Sequence, residues 1–304
     1  MALVTTDFLA AVMTNYRAIF EKALGEGAME LNDYLKIATE ITSTTDTESY
    51  NWLGATPNMS ERKDERSLKG LNAFNYSLKN VHYEGTIEVD RDTYEDERLG
   101  MIPPRVRGLA MSALRHYCKK VFSQLDDGET LLAYDGAAFF GTTRTIKSSG
   151  TISNVLSGNY SDSSAEILAG VAAATAAMRA FKDDWGEPLN LIPDTVVCAP
   201  ERLTQIQNAL LPAYPGLTRP EMAYVKSIIC SPYIDADTDD WFMLCTTDAV
   251  KPLIFQNRKK PEFIALDDPK SDHVFKNRTF LYGVDDRFAV GYGDPRTAIL
   301  LHNT

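Results

Sequence analysis

Four cysteines and four histidines are all that 304 residues supply of the softer metal ligands. Cys118, Cys198, Cys230 and Cys245 sit far apart, form no C-x-x-C pair and have apolar neighbours. Free cysteine is among the most buried residue types, so four reduced, buried thiols are expected rather than a disulfide framework or a zinc site. His82, His116, His273 and His302 are equally dispersed, and neither a metal nor any other cofactor is expected. Long hydrophobic runs are missing too. The strongest, around Ile167 to Met178, is alanine-rich and too short to span a bilayer, so no membrane partner is expected. The opening MALVTTDFLAAVMTNYR has neither a basic start nor a small-residue cleavage site, which predicts folding in a cytoplasm. No glycine-rich stretch ends in Gly-Lys-Ser/Thr, and the glycines of GVDDRFAVGYGDP do not make a dinucleotide fingerprint. Neither a G-x-S-x-G elbow nor an H-E-x-x-H helix occurs. Basic excess is also absent. A net charge of −11 argues against a reader of nucleic acid built on a broad basic face.

What the chain does have is ordinary globular composition, 44% hydrophobic and 24% charged, enough for one large or two modest domains. Thr6 or Asp7 can cap a first helix whose Phe8, Leu9, Val12, Met13, Tyr16, Ile19 and Phe20 share a face, with Gly25 and Gly27 breaking it. Leu31, Tyr34, Leu35, Ala38 and Ile41 suggest a second amphipathic stretch, and TSTTDTES after it reads as a linker. From Tyr50 to Asn80 too few apolar residues occur for an independent core. A strand follows, because Val81, Tyr83, Gly85, Ile87 and Val89 alternate with polar residues. An isolated ribbon is marginal in water and its open edge is a template for another chain, so a neighbouring subunit is the expected cover.

Pro103 and Pro104 suit the first turn of the longest helix, and Val106, Leu109, Ala110, Ala113, Leu114, Tyr117, Val121 and Leu125 form its apolar stripe. Asp126-Asp127-Gly128 stops it. Between Arg98 and Leu125 no acidic residue occurs, whereas Glu84, Glu88, Asp90, Asp92, Glu95, Asp96 and Glu97 precede it. Arg105, Arg115 and Lys119 fall on the helix's polar side, the best candidate surface for nucleic acid phosphate, with a solvated face as the alternative. Later, Ser163-x-x-Glu166 is a capping box. Strands are then expected at Thr195–Ala199, Tyr224–Cys230, Trp241–Cys245, Leu253–Gln256, Phe263–Leu266, Phe280–Val284, Phe288–Tyr292 and Ala298–Leu301, with a helix near Pro200–Leu211. Helices and strands mix without a βαβ rhythm, which makes the class α+β.

Acidic groups are the candidates for chemistry. Asp235-Ala-Asp237-Thr-Asp239-Asp240 begins like a calcium loop, but Trp241 and Phe242 stand where its glycine turn belongs, so an exposed hairpin turn is expected. Asp267-Asp268 and Asp285-Asp286 are paired carboxylates of the kind general acid–base catalysis uses, yet solvated loops account for both. The reading is non-enzymatic, with a hydrolase built on an acidic site as a rival.

The segment NWLGATPNMSERKDERSLKGLNAFNYSLKNVHYEGTIEVDRDTYEDERLGMIPPRV resembles the Mu-type major head subunit family, the gpT family of tailed phages and prophages. Trp52, Gly54, Pro57, Glu61, Glu65-Arg66, Tyr83-Glu84, Ile87, Val89, Glu95-Asp96 and Gly100 carry the likeness. SERKDER departs from the pattern, which has an aromatic after the glutamate. Val274 to Leu301 resembles the closing strands of the Hong Kong 97 capsid fold. The resemblance implies an N-terminal arm over 1–50 that clasps an adjacent subunit, and an E-loop over 51–90. It further implies a P-domain over 91–159 and 257–294 with a spine helix at about 104–125, and an A-domain over 160–256 and 295–304. It implies hexamers and pentamers in an icosahedral shell, made in a bacterial cytoplasm and part of the virion. Scaffold and portal proteins would be partners, and packaged double-stranded DNA would be touched weakly. Trp52, Glu61, Arg62, Glu65, Arg66, Lys69 and Glu88 become candidate inter-subunit contacts. An encapsulin-like compartment is the alternative on the same fold.

Overall fold

A computed structural model of the chain describes residues 6–50, 53, 76–90, 98–146, 150–210, 225–235, 239–268 and 270–303. Helix α1 (Thr6–Glu30) leads into a short α2 (Asp33–Ile37) and strand β1 (Ala38–Thr42). Strands β2 (Thr47–Ser49), β3 (Ser77–Lys79) and β4 (Val81–Asp90) follow, then the long helix α3 (Ile102–Asp126). In α3 both prolines occupy the first turn, and Ile102, Val106, Leu109, Ala113, Tyr117, Val121 and Leu125 are all buried, as the sequence stripe predicts. Its end is fixed by packing. At Gly128 an added Cβ would lie 2.5 Å from the Phe140 ring, so only glycine fits the turn.

The helix lies on a four-stranded sheet ordered β1-β11-β12-β4, with β11 at Leu253–Leu266 and β12 at Thr279–Tyr292. The sequence predicts two short strands in place of each of these. They run unbroken because their polar middles pair with one another: Asn257 faces Phe288, Lys259 faces Arg287 and Glu262 faces Asp285, across two register irregularities. Helix α6 (Asp272–Asn277) joins them.

The second sheet runs β7-β13-β10-β8-β9. These strands are Val155–Gly158, Ala298–Asn303, Trp241–Leu244, Thr195–Cys198 and Ser227–Cys230. Every residue of β8 and β10 is buried, because both faces are covered and the run reads as continuously apolar. Val196, Cys198, Trp241 and Met243 pack against α4 (Ser164–Ala180) and α5 (Pro200–Leu210), while Val197, Phe242 and Leu244 join the core beneath α3. The capping box is in place, the Ser163 hydroxyl accepting from the Glu166 amide at 3.3 Å. Strand β7 joins this second sheet, and Leu253–Gln256 begin the long β11 of the first.

Four expectations for the N-terminal third are corrected. Gly25 and Gly27 do not end α1, because Gly27 sits where α1 crosses α3, with Leu114 and Met111 side chains 2.6 Å from where a Cβ would stand. Ala38 and Ile41 are on strand β1, parallel to β11, and TSTTDTES contains β2, paired with β3. Tyr16 and Phe20 of α1 meet Tyr282 and Phe263 of the sheet, each at 5.4 Å between ring centroids. So the inner face of α1 packs onto its own chain's sheet. The strand over 81–90 is not unpaired. It pairs with β12 along its whole length, from Val81 opposite Phe288 to Asp90 opposite Thr279, and among the described residues no strand pairs with its outer edge.

Candidate assembly surfaces and a buried carboxylate

The basic face of α3 forms as read. Arg105, Arg115 and Lys119 are exposed, with the exposed small residues Gly108 and Ser112 between them. Arg107 turns aside to Glu26 at 2.7 Å, and Lys120 lies over the Tyr83 ring at 5.5 Å. Glu88 points outward from β4 and is exposed, opposite Leu281. Trp52, Glu61, Arg62, Glu65, Arg66 and Lys69 lie outside the described residues. The flanks of that segment are firmly held. The Tyr50 amide donates to the Tyr76 carbonyl at 2.7 Å, and the Tyr50 hydroxyl donates to Gln256 at 2.6 Å. The Tyr76 hydroxyl accepts from the Tyr292 amide at 2.9 Å, and Leu53 is buried. Tyr50 and Tyr76 are therefore held side by side, their ring centroids 6.3 Å apart.

The acidic candidates divide: Asp235 and Asp268 are exposed and outside the strands, as solvated loops would have them, whereas Asp240 and Asp286 are buried. Asp235 and Asp240 do not flank a hairpin, because β8 lies between β9 and β10. Asp240 is buried, accepting from His302 Nδ1 at 2.9 Å and from the Asn303 amide at 2.8 Å, which pins the last strand. Asp239 pairs with Arg202. Among the described residues no three His, Cys, Asp or Glu side chains converge as a metal site. Asp267 is half-buried, and burial raises its carboxyl above the ordinary value.

Asp285 and Asp286 lie inside β12, and Asp286 is only 4% exposed. Burial pushes its carboxyl up to about 6. The Tyr117 hydroxyl approaches it without closing a well-formed hydrogen bond, and Asp286 Oδ1 has no partner among the described residues. Sequence periodicity held the signal: Phe280, Tyr282, Val284 and Phe288 face inward, so Asp286 at the same parity must as well.

A second buried charge cluster was not foreseen. Arg296 is fully enclosed and forks onto Asp294 (Nη2 to Oδ2 2.6 Å, Nε to Oδ1 2.9 Å), with Asp184 at 3.5 Å. Buried Arg144 pairs with Asp135. The thiols are poorly suited to nucleophilic work, since burial pushes Cys118 up to about 11 and Cys198 up to about 12. Cys198 stands directly opposite Cys230, which is half-buried rather than buried as expected. No helix among the described residues is long and apolar enough to cross a membrane.

A long helix laid over a four-stranded sheet, beside a second buried sheet, is the architecture of shell subunits of tailed phages, the Hong Kong 97-like capsid fold. The subunit of the bacteriophage JBD30 procapsid superposes with a TM-score of 0.60 at 25% identity, over 99% of this chain and 77% of that one. The virus-like particle of Pyrococcus furiosus shares the fold, with a TM-score of 0.55 at 13% identity over 95% of this chain and 98% of that one. The chain belongs to the Mu-like prophage major head subunit gpT family, whose profile matches residues 9–169 and 220–303. It is 27% identical over 294 residues to the major capsid protein of Escherichia phage Mu, covering 96% of this chain and 72% of that protein. The FluMu major head subunit of Haemophilus influenzae is 26% identical, with the same coverage.

Proposed function

We propose that copies of this chain close into hexamers and pentamers through head-to-tail contacts and tile an icosahedral shell around double-stranded DNA. Heterologous contacts close into rings when the rotation permits. The observation that carries this reading is the family match along most of the chain together with the JBD30 procapsid likeness across 99% of it. The role is structural, without catalysis. The E-loop over 51–90 reaches a neighbour, bringing Glu61, Arg62, Glu65, Arg66 and Lys69 with it. Glu88 on β4 and Trp52 belong to the same contact. The body under α3 is the P-domain, and the five-stranded sheet with α4 and α5 is the A-domain. Arg105, Arg115 and Lys119 face the packaged DNA and touch phosphate without reading sequence. Scaffold and portal proteins direct assembly in the bacterial cytoplasm, and the finished chain resides in the virion.

The test is the particle size of the purified full chain, by light scattering and negative-stain microscopy. Shells are expected, and a deletion of residues 58–72, which spares Tyr50, Tyr76 and β3, should yield folded subunits that form none. A compact monomer at high concentration overturns the reading, and protein cargo co-purifying without DNA redirects it to a storage compartment.

A further inference from the structure

Between α3 and the edge strand β4 lies a cavity of about 140 Å³, floored by Asp286 and Val284 and walled by His116, Leu109, Tyr83 and Gly85. Asp286 Oδ1 and His116 Nε2 are both buried there with no hydrogen-bond partner among the described residues. Glu84 stands exposed at the mouth. Three described cations near it are held by other groups: Lys120 on the Tyr83 ring, Lys259 with Glu262 at 2.7 Å, and Arg287 with Asp46. The other groups whose charge bears on the Asp286 side chain are Tyr117 of α3, Tyr83 and His82 of β4, and Lys259 of β11, with Tyr34 and Glu40 beyond Tyr117. None of them closes an ion pair with it. A buried carboxylate is costly unless it is paired and hydrogen-bonded. Burial and the nearby Lys120 and Lys119 lower the basicity of His116, which keeps the ring neutral and its free nitrogen able to accept.

We propose that this cavity receives an ammonium or guanidinium group carried by a second copy of the chain, seated on Asp286 when subunits associate. The group would donate to Asp286 Oδ1 and to the neutral His116 ring. Gly85 leaves it room, since a Cβ there would already touch Leu109 and Val284 at 3.5 Å. Arg62, Lys63, Arg66 and Lys69, between the anchored Tyr50 and Tyr76, are the cations positioned in sequence to supply it. The inference rests on the shell reading.

Two variants of the full chain test it, Asp286→Asn, which removes the charge, and Gly85→Leu, which fills the space. Both are compared with wild type for free-subunit stability and for particle yield by sedimentation. Asp286→Asn should leave the free subunit at least as stable as wild type, yet raise the concentration needed for assembly about tenfold or more, the change that about 1.4 kcal/mol per contact gives. Gly85→Leu should show the same assembly defect with the carboxylate intact. One of Arg62→Gln, Lys63→Gln, Arg66→Gln or Lys69→Gln should reproduce it and add nothing to Asp286→Asn. Particles from both Asp286→Asn and Gly85→Leu at wild-type concentrations overturn the proposal. A glutamine variant that weakens the free subunit instead overturns the second copy as the source. Failure of the wild type itself to make particles counts against the shell reading, not this pocket.

Discussion

Asp286 makes the stability of the free subunit depend on pH in a direction opposite to that of most carboxylates. Burial holds its carboxyl at about 6, against 3.8 for the unperturbed group. The folded state therefore binds this proton more tightly than the unfolded chain does. Below about pH 4 both states are protonated and the site exacts no ionisation penalty. As the pH rises from about 4 to about 6 the unfolded chain releases its proton first, and folding loses stability; above about 6 the loss is complete. A gap of about two pH units at about 1.4 kcal/mol each amounts to roughly 3 kcal/mol. Asn keeps the shape and removes the charge, though its amide brings N–H donors that are themselves desolvated. Asp286→Asn is thus expected within about 0.5 kcal/mol of wild type at pH 4, and about 2–3 kcal/mol more stable at pH 7.5. Urea unfolding of the free subunit from pH 4 to 8, followed through the buried Trp241, measures this difference. Asp126, which burial also raises to about 6, is present in both proteins and cancels. A variant less stable than wild type at pH 7.5, or a gain equal at both ends of the range, would refute the reasoning.

Three further outcomes follow from the packing. Gly25 has nothing within 4 Å of an added Cβ, so Gly25→Ala should stabilise by about 0.5–1 kcal/mol, whereas Gly27→Val, wedged at 2.6 Å from Leu114 and Met111, should cost about 1–3 kcal/mol in the same urea assay. Arg296→Met leaves Asp294 and Asp184 buried without their guanidinium and should lose about 3–5 kcal/mol, read as a fall in the urea midpoint without a change in slope. Replacing Arg105, Arg115 and Lys119 together with Gln should leave stability within about 0.5 kcal/mol, because all three are exposed, and should reduce the salt dependence of DNA binding by about three phosphate contacts in a filter-binding titration.

Where local pattern and tertiary environment agree, the fold was legible. The stripe of α3, the Ser163 cap and the largely apolar runs of β8, β10 and β13 need only their own residues to be recognised. Where a distant partner decides, it was not. Gly27 reads as a helix breaker until α3 is laid against it, and TSTTDTES reads as a linker until Ser77–Lys79 returns to pair with it. The unpaired-ribbon argument failed for the same reason: the partner of Val81–Asp90 is β12, nearly 200 positions later, and no local property of the strand announces it. The family likeness did not depend on that argument, since it rests on spaced residues such as Trp52, Pro57 and Glu95-Asp96. Among the candidate site residues, periodicity sufficed for Arg105, Arg115 and Lys119, which share one face of α3, and for Glu88 on the outer side of β4. Asp286 is the opposite case. Its parity on β12 places it inward and its charge says it belongs outside, and a chain that obeys its own pattern elsewhere keeps such a conflict only if something beyond the subunit's stability is gained. A role for it at a subunit contact makes the conflict intelligible: the same carboxylate that weakens the lone subunit would strengthen the associated one.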